Sequence, residues 1–268
     1  MVFKKQNIKN VIITGFVLII FSICVFKLNE NAITTTSNVE INKTMSWGIK
    51  RAPNNMQPDV GSVNKQLLEK YGGICLGKDT EKVIYLTFDE GYEAGYTNQI
   101  LDTLKNNEVK ATFFITAHYL NTQPELVQRM IDEGHIVGNH TVNHPSMPSV
   151  SNEEIEKEIM QLHQAVYEKF NYEMRYIRPP KGEFNESTLK KTLELGYKTV
   201  MWSFAYMDWD ENKQPEIEKA KKIIIQNFHC GEIMLLHPNS KTNAELLDTI
   251  IKEAINQGYE FKSLEEFK

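Results

Sequence analysis

Val83-Ile84-Tyr85-Leu86-Thr87-Phe88-Asp89-Glu90-Gly91 runs from β-branched and aromatic residues straight into two carboxylates and a glycine. The apolar run reads as a buried strand, and the glycine lets the backbone turn after it. Side chains alternate across a strand, so Asp89 and Glu90 should point to opposite faces unless the chain leaves the strand between them. Carboxylates this close repel, and a bound cation would relieve the repulsion. Taken alone, an Asp-Glu-Gly triplet reads first as a solvated acidic turn. Its meaning depends on what else the chain brings to that strand end.

Downstream the pattern becomes regular. Strand-like runs fall at Val83–Phe88, Ala111–Thr116, Ile136–Asn139, Arg175–Arg178, Thr199–Phe204, Ile233–Leu236 and, more weakly, Tyr259–Lys262. Between them lie helix-like stretches at Tyr96–Asn106, Pro124–Glu133, Asn152–Phe170, Glu186–Leu195, Pro215–Phe228 and Asn243–Gln257. Ser151 and Glu154 have capping-box spacing, and Gly134, Gly196 and Gly258 stand where helices should stop. Strands alternating with helices predict an α/β fold with parallel strands, best drawn as a (β/α) barrel. An open doubly wound sheet is the alternative that periodicity leaves standing. Asp89, Asn139-His140, Arg178, Asp208 and His237 all lie at or just past strand-run ends, which in such folds share one face.

The chain has 268 residues, enough for a substantial core and at most two domains. Its formal net charge of −5, with no basic stripe, Walker loop or G-x-G-x-x-G, excludes a nucleic-acid or nucleotide protein as the first reading. The N-terminus differs in kind. Lys4, Lys5 and Lys9 precede Val11–Phe26, a stretch without a charge. It is short for a membrane span and long for a signal-peptide core, and no convincing small-x-small cleavage site follows. Residues 1–27 are therefore expected to be an uncleaved anchor with the lysines inside, or a signal peptide if cleaved. That places the rest in the cell membrane's outer space, or secreted. Residues 28–46 read as a polar linker, 47–79 as a lead-in that packs on the main domain, and 80–268 as that domain. From residue 28 on, 26 basic residues face 35 acidic ones, and the cysteines left are Cys75 and Cys230, which pair once or stay free.

The polar residues carry the chemistry. His140 and His144 are four apart after a strand run, and on a helical turn both imidazoles would share a face, as a metal requires. Alone the spacing is weak, because histidines four apart arise by chance. Beside the carboxylate pair of Asp89 and Glu90 it gains weight. A carboxylate plus two histidines leaves coordination positions open for water and substrate, which suits a hydrolytic metal. The nitrogen and oxygen donors suit Zn²⁺ first, with Co²⁺, Mn²⁺ or Ni²⁺ also fitting. Arg178 before Pro179-Pro180 is a solvated arginine at a rigid turn or a guanidinium aimed at a carboxylate. Asp208, amid aromatic residues, needs a partner if buried. His237 is a strand-end histidine or one held charged by a carboxylate, ready to donate a proton.

Five motifs in order make the chain resemble the polysaccharide deacetylases of the NodB-homology type, carbohydrate esterase family 4. They are Thr87-Phe88-Asp89-Glu90-Gly91, His140-Thr141-Val142-Asn143-His144, Arg178-Pro179-Pro180-Lys181-Gly182, Asp208-Trp209 and Leu235-Leu236-His237. The resemblance covers about residues 80 to 265 and implies a distorted (β/α) barrel and metal-dependent removal of N-acetyl groups from an amino-sugar polymer. Upstream, Trp47-Gly48, Leu67-Leu68-Glu69-Lys70-Tyr71 and Gly91-Tyr92-Glu93 are similar to the δ-lactam-biosynthetic branch of spore-forming bacteria. That branch acts on N-acetylmuramic acid in peptidoglycan freed of its peptide, and the new amine closes on the lactyl carboxyl. The resemblance implies Asp89 as general base, His140 and His144 as metal ligands, Arg178 orienting Asp89, and His237 as general acid oriented by Asp208. Glu90 stands where most of the family has a second, metal-binding aspartate and the δ-lactam branch often has asparagine. Being one methylene longer, it either ligates a shifted metal or turns away. The expected partner is the peptidoglycan strand, with a membrane contact through the N-terminal segment, no nucleic acid, and a monomeric chain. The rivals are a deacetylase of N-acetylglucosamine or chitooligosaccharide, and a non-catalytic glycan-binding homologue. Intact Asp89, His140, His144 and His237 argue against the last.

Overall fold

A computed structural model describes residues 43–267. The expected anchor over 1–27, and the linker as far as residue 42, lie outside the described residues. Among the described residues no helix is long and apolar enough to cross a membrane.

The described chain opens with a two-residue strand, β1 (Met45–Ser46), and a helix, α1 (Ser62–Lys70). The strands that follow are β2 (Val83–Glu90), β3 (Thr112–Ile115), β4 (Ile136–Asn139), β5 (Tyr176–Ile177), β6 (Glu183–Phe184), β7 (Lys198–Thr199), β8 (Glu232–Leu236) and β9 (Glu260–Phe261). The remaining helices are α2 (Thr97–Asn106), α3 (Ala117–Thr122), α4 (Pro124–Asp132), α5 (Asn152–Phe170), α6 (Glu186–Glu194), α7 (Ile217–Ile225) and α8 (Lys241–Asn256). The sheet order is β7-β5-β4-β3-β2-β8, with parallel pairing throughout. Ile84 pairs with Glu232 of β8 on one side and Phe261 of β9 on the other. β9 therefore shares the edge of β2 that β3 takes further along.

One segment decides between an open sheet and a barrel. After β7 the chain passes Val200, which bridges Ile74, and reaches Phe204, which bridges Met234 of β8. Leu235 N–H donates to the Phe204 carbonyl at 2.9 Å. The chain leaving one end of the strand order thus lies against the other end, and the sheet curls into a distorted barrel. The expected strand Thr199–Phe204 is mostly not a ladder because it changes partners from β5 to Ile74 to β8. Ile74 of the lead-in is part of that wall, and β1 pairs antiparallel with β6 through Met45 and Phe184.

The alternation of β2 sorts the core. Ile84, Leu86 and Phe88 belong to the cluster shared with the helices, while Val83 and Tyr85 pack with Phe114, Tyr176, Val200 and Ile233 inside the barrel. The Ser151 hydroxyl caps α5, accepting from Glu154 N–H at 3.2 Å. Helix α3 was not expected. It is six residues long, too short for a periodic signal, and its cap Thr116 closes an apolar run.

Candidate active site

Asp89 follows Val83, Tyr85 and Thr87 at alternate positions on the inner face of β2, so its carboxylate enters the barrel mouth. Arg178, fully buried just past β5, meets it there. Its Nη1 donates to Asp89 Oδ1 at 2.8 Å, its Nη2 to Thr87 Oγ1 at 2.9 Å and its Nε to the Val200 carbonyl at 3.2 Å. The guanidinium lies over the Phe114 ring at 4.4 Å. Every face of it is therefore held, and it can present only one geometry to Asp89. Burial alone would raise the Asp89 pKa, but the charges of Arg178 and His237 and the Arg178 hydrogen bond outweigh it and hold the carboxyl below its ordinary value.

His140 leaves β4 with its Nδ1 2.8 Å from the Arg178 carbonyl. A carbonyl only accepts, so Nδ1 carries the proton and Nε2 keeps its lone pair, 3.7 Å from Asp89 Oδ2. His144 lies beside it, ring centroids 4.8 Å apart. The expected helical turn between them does not form. Instead Thr141 and His144 take left-handed backbones, at φ 70° and 55°. Glu158 of α5 holds the loop, accepting from Asn143 N–H at 2.7 Å and from its side-chain amide at 2.6 Å. Burial lowers the pKa of both imidazoles, that of His144 to about 4, so both are neutral as metal ligands must be.

Across the cleft, His237 Nδ1 donates to Asp208 Oδ1 at 2.7 Å, while its backbone N–H donates to Oδ2 at 2.9 Å. The Asn243 side chain donates to Asp208 Oδ2 at 2.6 Å and to the His237 carbonyl at 3.0 Å. Burial would lower the His237 pKa, but Asp208 overcomes it and raises the pKa above the ordinary histidine value. With Nδ1 committed to Asp208, protonation of the ring makes Nε2 the donor it has to offer.

Glu90 does not join this set. It follows Ile84, Leu86 and Phe88 on the outer face of β2 and is 1% exposed among the helices. Its Oε1 accepts from Thr97 Oγ1 at 3.3 Å, and its Oε2 has no hydrogen-bond partner. Burial, then the charges of Glu93 and Asp89, push its pKa well above the ordinary value. The expected ligation by Glu90 is thus corrected, because an unbroken strand through residue 90 turns the side chain away. Among the described residues no group of three His, Cys, Asp or Glu side chains forms a metal cage. Two neutral imidazoles with Nε2 of His140 left free do fit a divalent ion whose other positions stay open.

The cleft these residues floor has a volume of about 570 Å³ and is walled by Tyr92, Trp202, Trp209, Lys181 and Asn239. Sequence reasoning brought together Asp89, His140, His144, Arg178, Asp208 and His237. It missed Thr87, Glu158, Asn243 and the wall residue Asn239. Glu158 alone left a signal, as a carboxylate on the apolar face of Ile155, Ile159 and Leu162.

Comparison with known proteins agrees with the geometry. A family model described as polysaccharide deacetylase matches residues 76–200. The peptidoglycan-N-acetylmuramic acid deacetylase PdaA of Bacillus subtilis is 45% identical over 226 residues, 84% of this chain and 86% of that protein. The solved structure of Bacillus subtilis PdaA, a family 4 carbohydrate esterase, superposes with a TM-score of 0.82 at 44% identity, covering 84% of this chain and 97% of that one. A family 4 carbohydrate esterase from Bacillus anthracis gives 0.71 at 42% identity, over 84% and 96%.

Proposed function

The chain belongs to the polysaccharide deacetylase family, carbohydrate esterase family 4, and from that membership we propose that it removes the acetyl group of N-acetylmuramic acid in peptidoglycan. The observation that carries the reading is the pair of dyads facing one cleft, Asp89 with Arg178 and Asp208 with His237. One keeps a base ionised and the other keeps an acid charged, which amide hydrolysis needs together.

An amide is a weak electrophile with a poor leaving group. Asp89 accepts the proton of the attacking water, and Arg178 fixes the direction of its lone pairs. His237 donates from Nε2 to the departing nitrogen, while Asp208 and Asn243 hold the ring in place. Trp209 packs against the His237 ring, centroids 5.8 Å apart, and covers one side of it. Deacetylases of this family depend on a metal. His140 and His144 would hold a divalent ion, whose Lewis acidity polarises the acetyl carbonyl. The donor set favours Zn²⁺, and metal analysis of the purified chain tests that.

The similarity to the muramic-acid enzyme supports the choice of sugar. The amine released from a muramic residue can close on its own lactyl carboxyl to a δ-lactam, the product proposed here for a spore wall. Peptidoglycan lies outside the cytoplasm, and the apolar segment Val11–Phe26 after three lysines suits an anchor holding the catalytic unit there. The deciding experiment is mass spectrometry of glycan fragments after incubation with peptide-free and peptide-bearing peptidoglycan. Acetyl loss from muramic residues of peptide-free strands is expected. Loss from glucosamine residues alone would overturn the reading.

A further inference from the structure

Lys181 is an odd residue for its place. It sits in the turn Pro180–Gly182 with φ 60° and ψ 5°, a left-handed backbone that a lysine adopts at a cost. The turn cannot relax by sliding. A Cβ on Gly182 would come within 2.6 Å of Trp202 Cη2 and 3.2 Å of Trp47 Cβ, so the backbone is pressed against both rings' residues. Local conformation would be easier with glycine or asparagine at 181. What lysine adds is an exposed side chain on the cleft rim beside His144. Among the described residues it makes no hydrogen bond or ion pair. The acid that lines the cleft, Asp89, is already paired with Arg178. In a chain of formal net charge −5, this is an uncommitted cation on the rim of the cleft that holds Asp89 and His237.

A muramic residue carries its lactyl ether on the carbon next to the acetamido carbon. When the amide sits between Asp89 and His237, the lactyl group lies at the rim of the same cleft. In a peptide-free strand it ends in a carboxylate. In a peptide-bearing strand it ends in a neutral amide, and a glucosamine residue has only a hydroxyl there. We propose that Lys181 is the specificity residue that binds this lactyl carboxylate, an inference that rests on the substrate reading above. In that role Lys181 binds substrate and takes no part in making or breaking bonds.

The test measures acetate release by the full chain and by Lys181→Met, Lys181→Arg and Lys181→Gly. The substrates are peptide-free glycan strands, the same strands with the lactyl carboxyls converted to methylamides, and an oligomer of N-acetylglucosamine. Lys181→Met should raise KM on peptide-free strands about tenfold with kcat within about twofold, as loss of a partly exposed charge-assisted contact implies. Lys181→Arg should stay within about threefold of the parent. Methylamide strands should raise the parent's KM to that of Lys181→Met, and the variant should lose nothing further. Lys181→Gly should lose the same recognition while melting no lower than the parent, which separates recognition from folding. An unchanged KM for Lys181→Met on peptide-free strands, or an equal loss on both strand types, overturns the proposal. If the parent releases no acetate from muramic residues but does so from glucosamine, the substrate reading itself falls and takes the proposal with it. If it acts on muramic residues and Lys181→Met matches it, the lysine assignment alone falls.

Discussion

Asp89 and Glu90 are neighbours with the same functional group and end in opposite states. Asp89 meets a fixed guanidinium and stays ionised; Glu90 meets apolar helices and Glu93 and takes its proton. Asp89→Asn should abolish acetate release while glycan binding persists, and retained turnover would remove Asp89 from the role of base. Glu90→Gln should leave metal affinity unchanged by calorimetry. Its effect on stability carries a sign. The raised pKa favours a neutral Glu90 carboxyl in the fold, and it ionises near its ordinary value when unfolded, so its contribution to wild-type stability falls as pH rises above about 4.3. Glutamine does not titrate. In urea unfolding the variant should gain on the parent between pH 4 and pH 7, and a constant difference would mean that Glu90 is ionised in the fold. The pH profile of activity follows the other pair. His237 must be charged, and Asp208 raises its pKa, so the alkaline limb lies above the ordinary histidine range. Asp208→Asn should move that limb to lower pH as well as reduce kcat; an unmoved limb would assign it to another group.

At the scale of elements, the site depends on how closely strands approach. Gly138 in β4 lies under Phe114 of β3, and a Cβ there would come within 2.5 Å of the ring. That ring is the surface on which Arg178 rests. Gly138→Ala should therefore destabilise the fold by about 1–3 kcal/mol through overpacking. It should also reduce kcat, because a displaced Phe114 moves the guanidinium and with it Asp89. Pairing the change with Phe114→Leu should restore stability in part, read by thermal melting, while kcat stays low. Full recovery of kcat would show that the Phe114 face is not what seats Arg178. The histidine loop is an element of another kind, bent by left-handed residues and tied to α5 through Glu158.

At the scale of the whole molecule, closure of the barrel brings residues from 89 to 237 to one mouth, and closure runs through the lead-in. Trp47 Nε1 donates to the Trp202 carbonyl at 2.8 Å, and Trp202 is a wall of the cleft. The two described cysteines take no part as a bridge. Both are free, with Cys75 buried among Val60, Leu68 and Phe184 and its thiol pushed up to about 12 mainly by burial. Activity and melting temperature should not change with reductant. A thiol reagent should modify Cys230 in the folded protein and Cys75 only after unfolding; rapid labelling of both would mean that the lead-in opens.

Much of this was legible in the residues. The period of the apolar runs determined the alternation of strands and helices, because burial on both faces of a parallel strand leaves a continuous apolar run. The placement of Asp89, Arg178, Asp208 and His237 at strand ends determined that they would meet, since parallel strands share one C-terminal face. Side-chain alternation offered two fates for Glu90. Only the tertiary structure chose, by carrying β2 unbroken through residue 90 and packing α2 and α3 over its outer face. Likewise no local pattern says that Thr199–Phe204 hands over from β5 to β8, or that Asn243 and Glu158 steady the acid and the histidines. Those contacts join residues far apart in the chain, and they exist only once the barrel has closed.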